Sequence, residues 1–235
     1  MANIGFGSGL TSKMILADPR VLHLDTIEIE PKMVELARHF DPLNRSVYTD
    51  SRSAIRIEDA KSFFASNGQT YDIIVSEPSN PWVSGVSSLF SVEFYRHVSR
   101  YLNKDGLFAQ WLQIYETHPD RVMSVLKAMS QAFDDYIVIA MDDGDLLLVG
   151  KPRGKVAMPP LAYAKLSPPM KTQLPDVEIA NQSDITLRIV GNKALFQPWL
   201  DQRPMPGNSG ALVSKGRRTL PHLFQSHLEG AALQI

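Results

Sequence analysis

Short apolar, β-rich runs alternate along the chain with stretches whose apolar residues recur every three or four positions. The runs lie at 24–29, 54–58, 71–76, 106–111, 136–141 and 146–149. Between them, Phe90, Phe94, Val98 and Tyr101 share one helical face, as do Val122, Val125, Leu126, Met129 and Phe133. Such alternation predicts an α/β domain on a mostly parallel sheet. Pro31 opens PKMVELARHF at a first-turn position, where its missing N–H costs nothing. Asp142-Asp143-Gly144 between two apolar runs predicts a hairpin, which makes the last strand antiparallel. After about residue 150 the pattern weakens. Ten of the 16 prolines lie there, and only 183–200 keeps a helical period, through Ile185, Ile189 and Phe196. The expected organisation is a sheet domain over 1–150 and a loosely structured, Pro-rich extension with one helix over 151–235.

The 235 residues suffice for a real core, and the absence of cysteine excludes disulfides and thiolate chemistry. No apolar run approaches about 18 residues, so no membrane span is expected, and MANIGFGSGL lacks the layout of a signal peptide. The net charge of −1 hides an imbalance. Residues 1–150 carry 13 basic and 20 acidic side chains; residues 151–235 carry 11 and 5. Neither part shows a basic stripe with interleaved aromatics, which argues against a nucleic-acid partner. An acidic domain is mildly compatible with a cationic ligand, but a solvated surface is the better account of the charge alone.

Four segments can carry chemistry. Gly5-Phe6-Gly7-Ser8-Gly9 precedes the helical LTSKMILA, and glycines at alternate positions let a ligand approach the backbone at a helix start. Only residues 1–4 remain for the strand before this loop, so either that strand is a stub or the chain is a fragment; the fragment is the favoured expectation. Glu28, in TIEIEP at the end of the second strand, is placed to accept from both hydroxyls of a ribose. Asp59, in RIEDA before Ala60, can accept from a purine amine or cap the following helix. The richest segment, YDIIVSEPSNPW, ends a buried strand in two prolines, Glu77, Asn80 and Trp82. Loops at the carboxyl ends of parallel strands are where open α/β sheets bind ligands. Gln110-Trp111 and Tyr115-Glu116, leaving the next strand, can line the same crevice. The six histidines are scattered without HExxH, and no GxSxG elbow occurs, which argues against metal hydrolases and serine hydrolases.

Glycine loop, strand-end Glu, Asp-Ala and an acid-bearing loop in this order resemble the class I S-adenosylmethionine-dependent fold. More narrowly, EIEP, EDA and SEPSNPWVSGVSSLFSVEFY resemble the polyamine aminopropyltransferase (spermidine synthase) family, including members attached to membrane segments. The resemblance implies a Rossmann-like sheet over about residues 3–150. It makes Gly5, Gly7, Ser8 and Gly9 the nucleoside loop, Glu28 the ribose acid, and Asp59 with Ala60 the adenine contact. It makes Glu77 the catalytic carboxylate and puts Asn80 at the segment's second acid; Trp82, Gln110 and Tyr115, read from their own segments, are expected with Asn80 toward the acceptor. Three residues depart from that pattern: Glu77 is longer than the family's Asp, Asn80 replaces a second Asp, and Ser8 stands where an Asp contacts the donor. The family's N-terminal β-rich domain is expected to be missing here, in line with the expectation of a fragment.

The implied reaction is aminopropyl transfer from decarboxylated S-adenosylmethionine to a small di- or polyamine, without a metal. Methyl transfer from S-adenosylmethionine, or nucleoside binding without catalysis, are the alternatives that the altered residues leave open. The cytoplasm is the expected location, either free or as the cytoplasmic part of a membrane protein, and a homodimer is compatible with the resemblance.

Overall fold

The computed structural model describes residues 1–79, 86–115, 117–157, 162–202 and 207–208. The strands are β1 (Ala2–Ile4), β2 (Leu24–Glu28), β3 (Ser53–Ile57), β4 (Tyr71–Ser76), β5 (Leu102–Gln113), β6 (Asp135–Ala140), β7 (Asp145–Lys151) and β8 (Ile189–Asn192). The α-helices are α1 (Leu10–Leu16), α2 (Pro31–Leu36), α3 (Arg45–Thr49), α4 (Ala60–Asn67), α5 (Val92–Val98), α6 (Pro119–Ala132), α7 (Pro168–Gln173), α8 (Gln182–Leu187) and α9 (Lys193–Gln202).

The strands form one sheet in the order β3-β2-β1-β4-β5-β7-β6-β8. The first five are mutually parallel, whereas β7 runs antiparallel to both β5 and β6. The fold is therefore a Rossmann-like α/β sheet with the expected antiparallel strand. β1 is paired on both sides, by β2 and β4, with Ala2 opposite Asp25 and Ile74. All three of its residues are buried.

Alternation along the strands divides the core in two. Leu24 joins a smaller cluster with Phe6, Leu16, Ala37 and Val47 beneath α1 and α3, while Ile27, of opposite parity on β2, joins the larger one. That larger core is aromatic. Phe108 of β5 stacks on Phe133 at 5.6 Å, and Tyr95 and Phe94 of α5 both meet Phe108 edge-on. Ser91 caps α5 by accepting from the Phe94 N–H, which separates this helix from the 3-10 turn Val86–Phe90 before it.

One expectation is corrected beyond residue 150. The region 183–200 is not a single helix: α8 ends at Leu187, Ile189–Asn192 pairs antiparallel with β6 as β8, and α9 follows. Ile185, Ile189 and Phe196 mimic a helical repeat, but Ile189 and Val190 are β-branched and β6 offers an open edge. The segment before α8 also packs. The Ser167 hydroxyl donates to the Ala17 carbonyl at 3.2 Å, and Lys13 Nζ donates to Gln173 Oε1 at 3.0 Å. Lys193 Nζ donates to the Ser130 and Phe133 carbonyls at 2.7 and 2.8 Å, tying α9 to the end of α6. Among the described residues, no helix is long and apolar enough to cross a membrane.

Candidate active site

The order of strands reverses at β1, whose chain successor β2 lies on one side while β4 lies on the other. Loops leaving β1 and β4 therefore part at their carboxyl ends, which is where doubly wound sheets open a crevice. Backbone bonds hold both loops at their roots: Gly5 N–H donates to the Ile27 carbonyl, and Glu77 N–H to the Ile4 carbonyl, each at 2.8 Å. Gly5 lies at φ +96°, and a Cβ there would sit 2.6 Å from the Glu77 carbonyl oxygen. Only glycine lets the two loops come this close. Gly7 and Gly9 also have positive φ, and Gly9 caps α1, with the Lys13 N–H bonded to its carbonyl at 3.0 Å. Asn44 braces the loop from behind through a 2.8 Å bond to the Ser8 carbonyl.

A hollow of about 280 Å³ opens above this junction, lined among the described residues by Gly5, Phe6, Gly7, Ser8, Thr11, Glu77 and Trp111. Gly5, Gly7, Ser8 and Glu77 thus converge as expected. Glu77 is half-buried, and burial pushes its carboxyl above the ordinary range, while a hydrogen bond from the Thr11 hydroxyl partly opposes the shift. Trp111 enters from β5 as a diagonal cross-strand neighbour of Asp145 on β7, where hydrogen bonding by its indole N–H favours the charged form of that carboxyl. Burial, then the charge of Asp142, push the Asp145 carboxyl up against that bond.

Glu28 stands beside the hollow and organises it. Its Oε2 accepts from the Phe6 N–H and its Oε1 from the Glu30 N–H, both at 2.9 Å. A carboxylate has about four acceptor positions, so both oxygens keep capacity for a ligand hydroxyl. Asp59 caps α4: Oδ1 accepts from Ser62 N–H at 3.0 Å and from its hydroxyl at 3.2 Å, and neither bond engages Oδ2. Ala60 is the buried first residue of α4.

Gln110 and Tyr115 are not among the residues lining the hollow. Gln110 is fully buried, and its amide donates to the Ser76 and Trp111 carbonyls at 3.1 Å, because a central strand covered on both faces turns this side chain inward. Tyr115 is exposed and lies against Gly144 of the β6–β7 hairpin. Asn80 and Trp82 lie outside the described residues, as does Glu116. Sequence reasoning missed Phe6 and Thr11. A hydroxyl two positions after the last glycine, in the first turn of α1, was the available signal for Thr11.

The family model of the spermine/spermidine synthase domain matches residues 2–141. The chain belongs to the spermine/spermidine synthase family. Among its relatives, polyamine aminopropyltransferase 2 of Bacillus anthracis is 31% identical over 108 residues, or 45% of this chain and 30% of the relative. Polyamine aminopropyltransferase 2 of Streptomyces coelicolor is 33% identical over 149 residues, covering 60% and 27%. This spermine/spermidine synthase family member therefore spans less than half the length of these relatives. The spermidine synthase of Thermotoga maritima superposes with a TM-score of 0.63 at 17% identity, covering 83% of this chain and 66% of that one. Human methyltransferase-like protein 13, in complex with SAH, superposes at 0.53 and 17% identity, over 90% and 86%. At these identities the structural likeness speaks for the fold.

Proposed function

We propose that this chain transfers an aminopropyl group from decarboxylated S-adenosylmethionine to a di- or polyamine, with Glu77 as general base. The observation that carries the reading is Glu77 itself. Half-buried at the strand-order reversal and facing the glycine loop, it has its carboxyl raised by burial toward the range useful to a base.

Gly5, Gly7, Ser8 and Gly9 would admit the nucleoside against bare backbone, and Glu28 would accept from the ribose hydroxyls. An alkylammonium has a pKa near 10.4, so roughly one amine in 10³ is neutral at pH 7. Glu77 answers both needs: its charge attracts the cation, and it takes the proton that must leave before attack. The amine nitrogen then forms a bond to the carbon next to the sulfonium. The carbon–sulfur bond breaks with its electron pair going to sulfur, methylthioadenosine departs neutral, and Glu77 releases its proton to solvent. General base assistance contributes about 10²–10⁴-fold. Holding both reactants in line contributes at least as much. The relatives named polyamine aminopropyltransferase support this chemistry.

Ser8, where the resemblance places an aspartate, favours a second reading: methyl transfer from S-adenosylmethionine through the same nucleoside contacts. One experiment separates the readings. The protein is incubated with each donor and a panel of di- and polyamines, and the products are weighed by mass spectrometry. Equal amounts of methylthioadenosine and aminopropylated amine are expected with the decarboxylated donor. Methylated product from the carboxylated donor would replace this reading with the second. Binding of both donors without product would leave a nucleoside-binding domain.

A further inference from the structure

Among the described residues lining the hollow, Glu77 alone carries a formal charge, while two aromatic side chains share the wall. The two are not equivalent. Phe6 is 4% exposed; its ring meets Tyr48 at 5.8 Å and lies under Gly9, so its faces are spent on the loop's own packing. Trp111 is half-buried and keeps surface toward the hollow. Its orientation is fixed at both ends. The backbone is held in β5, where Trp111 pairs with Leu147 of β7, and Asp145 is its diagonal cross-strand neighbour on the same face, within reach of the indole N–H. The neighbouring Gln110 locks the strand to the Ser76 carbonyl.

We infer that Trp111, oriented by Asp145, is the surface by which the hollow tells a positively charged sulfonium from its neutral thioether counterpart. The indole has the strongest cation-attracting face among the aromatic side chains, and the effect grows where water is excluded. A carboxylate on the N–H edge holds the ring in place and feeds electron density toward its face. Prior fixing of the ring also removes an ordering cost from binding. Glu77 cannot supply this discrimination alone, because burial favours its neutral form and it is reserved for the acceptor's proton. The arrangement suits a reaction that consumes a sulfonium and releases a thioether: the ring holds the donor and loosens its hold on the product. Asp145 is in this account a positioning residue.

The inference rests on the adenosyl-sulfonium reading of the hollow, and its test separates the two. Decarboxylated S-adenosylmethionine and the same nucleoside lacking the S-methyl group are titrated calorimetrically into wild-type protein. The sulfonium should bind about five- to thirtyfold more tightly. In Trp111→Leu that preference should fall to near parity, with the thioether affinity kept within about twofold. Trp111→Phe should retain part of the preference, and Asp145→Asn should lose a smaller part. Should Trp111→Leu fail to fold, shown by loss of its melting transition, the latter two variants decide. Equal losses for both nucleosides would make Trp111 a structural residue and overturn the inference, as would an unchanged ratio or wild-type parity. Wild-type protein that binds neither nucleoside would overturn the reading of the hollow along with the inference.

Discussion

Glu77 and Asp25 sit at opposite ends of the parallel strands, and their surroundings differ as a tool differs from a fastener. Asp25, at the start of β2, is 1% exposed and filled with partners: Arg56 Nε at 2.8 Å on Oδ1, and the Tyr71 hydroxyl and His23 Nε2 at 3.0 Å on Oδ2. Tyr71 is itself anchored by Asn67 at 3.0 Å, and burial, reinforced by the Asp25 charge, pushes its hydroxyl far above the ordinary range, so it stays a donor. Glu77, past the end of β4, has the Thr11 hydroxyl as its side-chain partner among the described residues and opens onto a hollow. A carboxylate withdrawn from water is costly unless its oxygens are satisfied. At Asp25 that demand is met by the protein, and the result is a tie between β2, β3 and β4. At Glu77 it is met in part, and the remaining acceptor capacity faces where a substrate would lie.

The sharpest way to break this contrast is Glu77→Gln, which should lower turnover by about 10²–10⁴-fold with nucleoside affinity unchanged by calorimetry. Stability should move the other way. The carboxyl raised by burial binds its proton more tightly folded than unfolded, so ionising it costs the fold as pH rises through the folded value. The Gln variant should therefore melt above wild type at pH 8, and the gain should vanish below about pH 4, the ordinary range of Glu. Full turnover in this variant would remove Glu77 from the chemistry.

Gly5→Ala comes next, because it disturbs the junction on which Glu77 rests. The new Cβ would meet the Glu77 carbonyl oxygen at 2.6 Å, at a φ of +96° that alanine resists. We expect about 2–3 kcal/mol lost in urea unfolding, with reduced turnover in what remains folded. Gly7→Ala is the control. Nothing lies within 4 Å of its Cβ, so only the φ of +49° is charged against it, at about 1 kcal/mol. Equal effects would mean that the two loops are not pressed together. Asp25→Ala should cost about 2 kcal/mol of stability, since it strands the buried Tyr71 hydroxyl while half-exposed Arg56 returns to water. Its turnover per folded molecule should match wild type.

The parts legible in the sequence were those set by local chemistry. Alternating apolar runs located β4 to the residue and β2 to within one, and Asp142-Asp143-Gly144 announced the hairpin between β6 and β7. Three glycines in five residues marked a loop of positive φ; Glu28, singled out at the strand end for a ribose, also braces that loop, which the sequence did not announce. What escaped depends on distant partners. β8 exists because β6 has an edge to fill, which no window around 189–192 contains. Asp59 followed by Ala-Lys-Ser reads locally as a cap or as a ligand; Oδ1 makes the cap, which leaves the second reading to the other oxygen. Gln110 and Trp111 are adjacent and looked alike as candidates, but strand alternation sends one into the sheet and the other to the hollow.

Thr11 carries the smallest expected effect and the most diagnostic one. Its hydroxyl stabilises the charged form of Glu77 against the burial that disfavours it. Thr11→Val keeps the shape of the side chain and removes the donor, so the Glu77 carboxyl should rise further. The acid limb of the kcat/KM profile should then move to higher pH, while the plateau at pH 8–9 drops only a few-fold, the scale of one neutral hydrogen bond of about 1 kcal/mol. Thr11→Ser should restore the limb. A role in packing alone would instead lower the whole profile by one factor at every pH, and Ser would not rescue it. Because Thr11 belongs to α1 and Glu77 to the loop after β4, a displaced limb would show that the two halves of the crevice are coupled through one proton rather than merely adjacent.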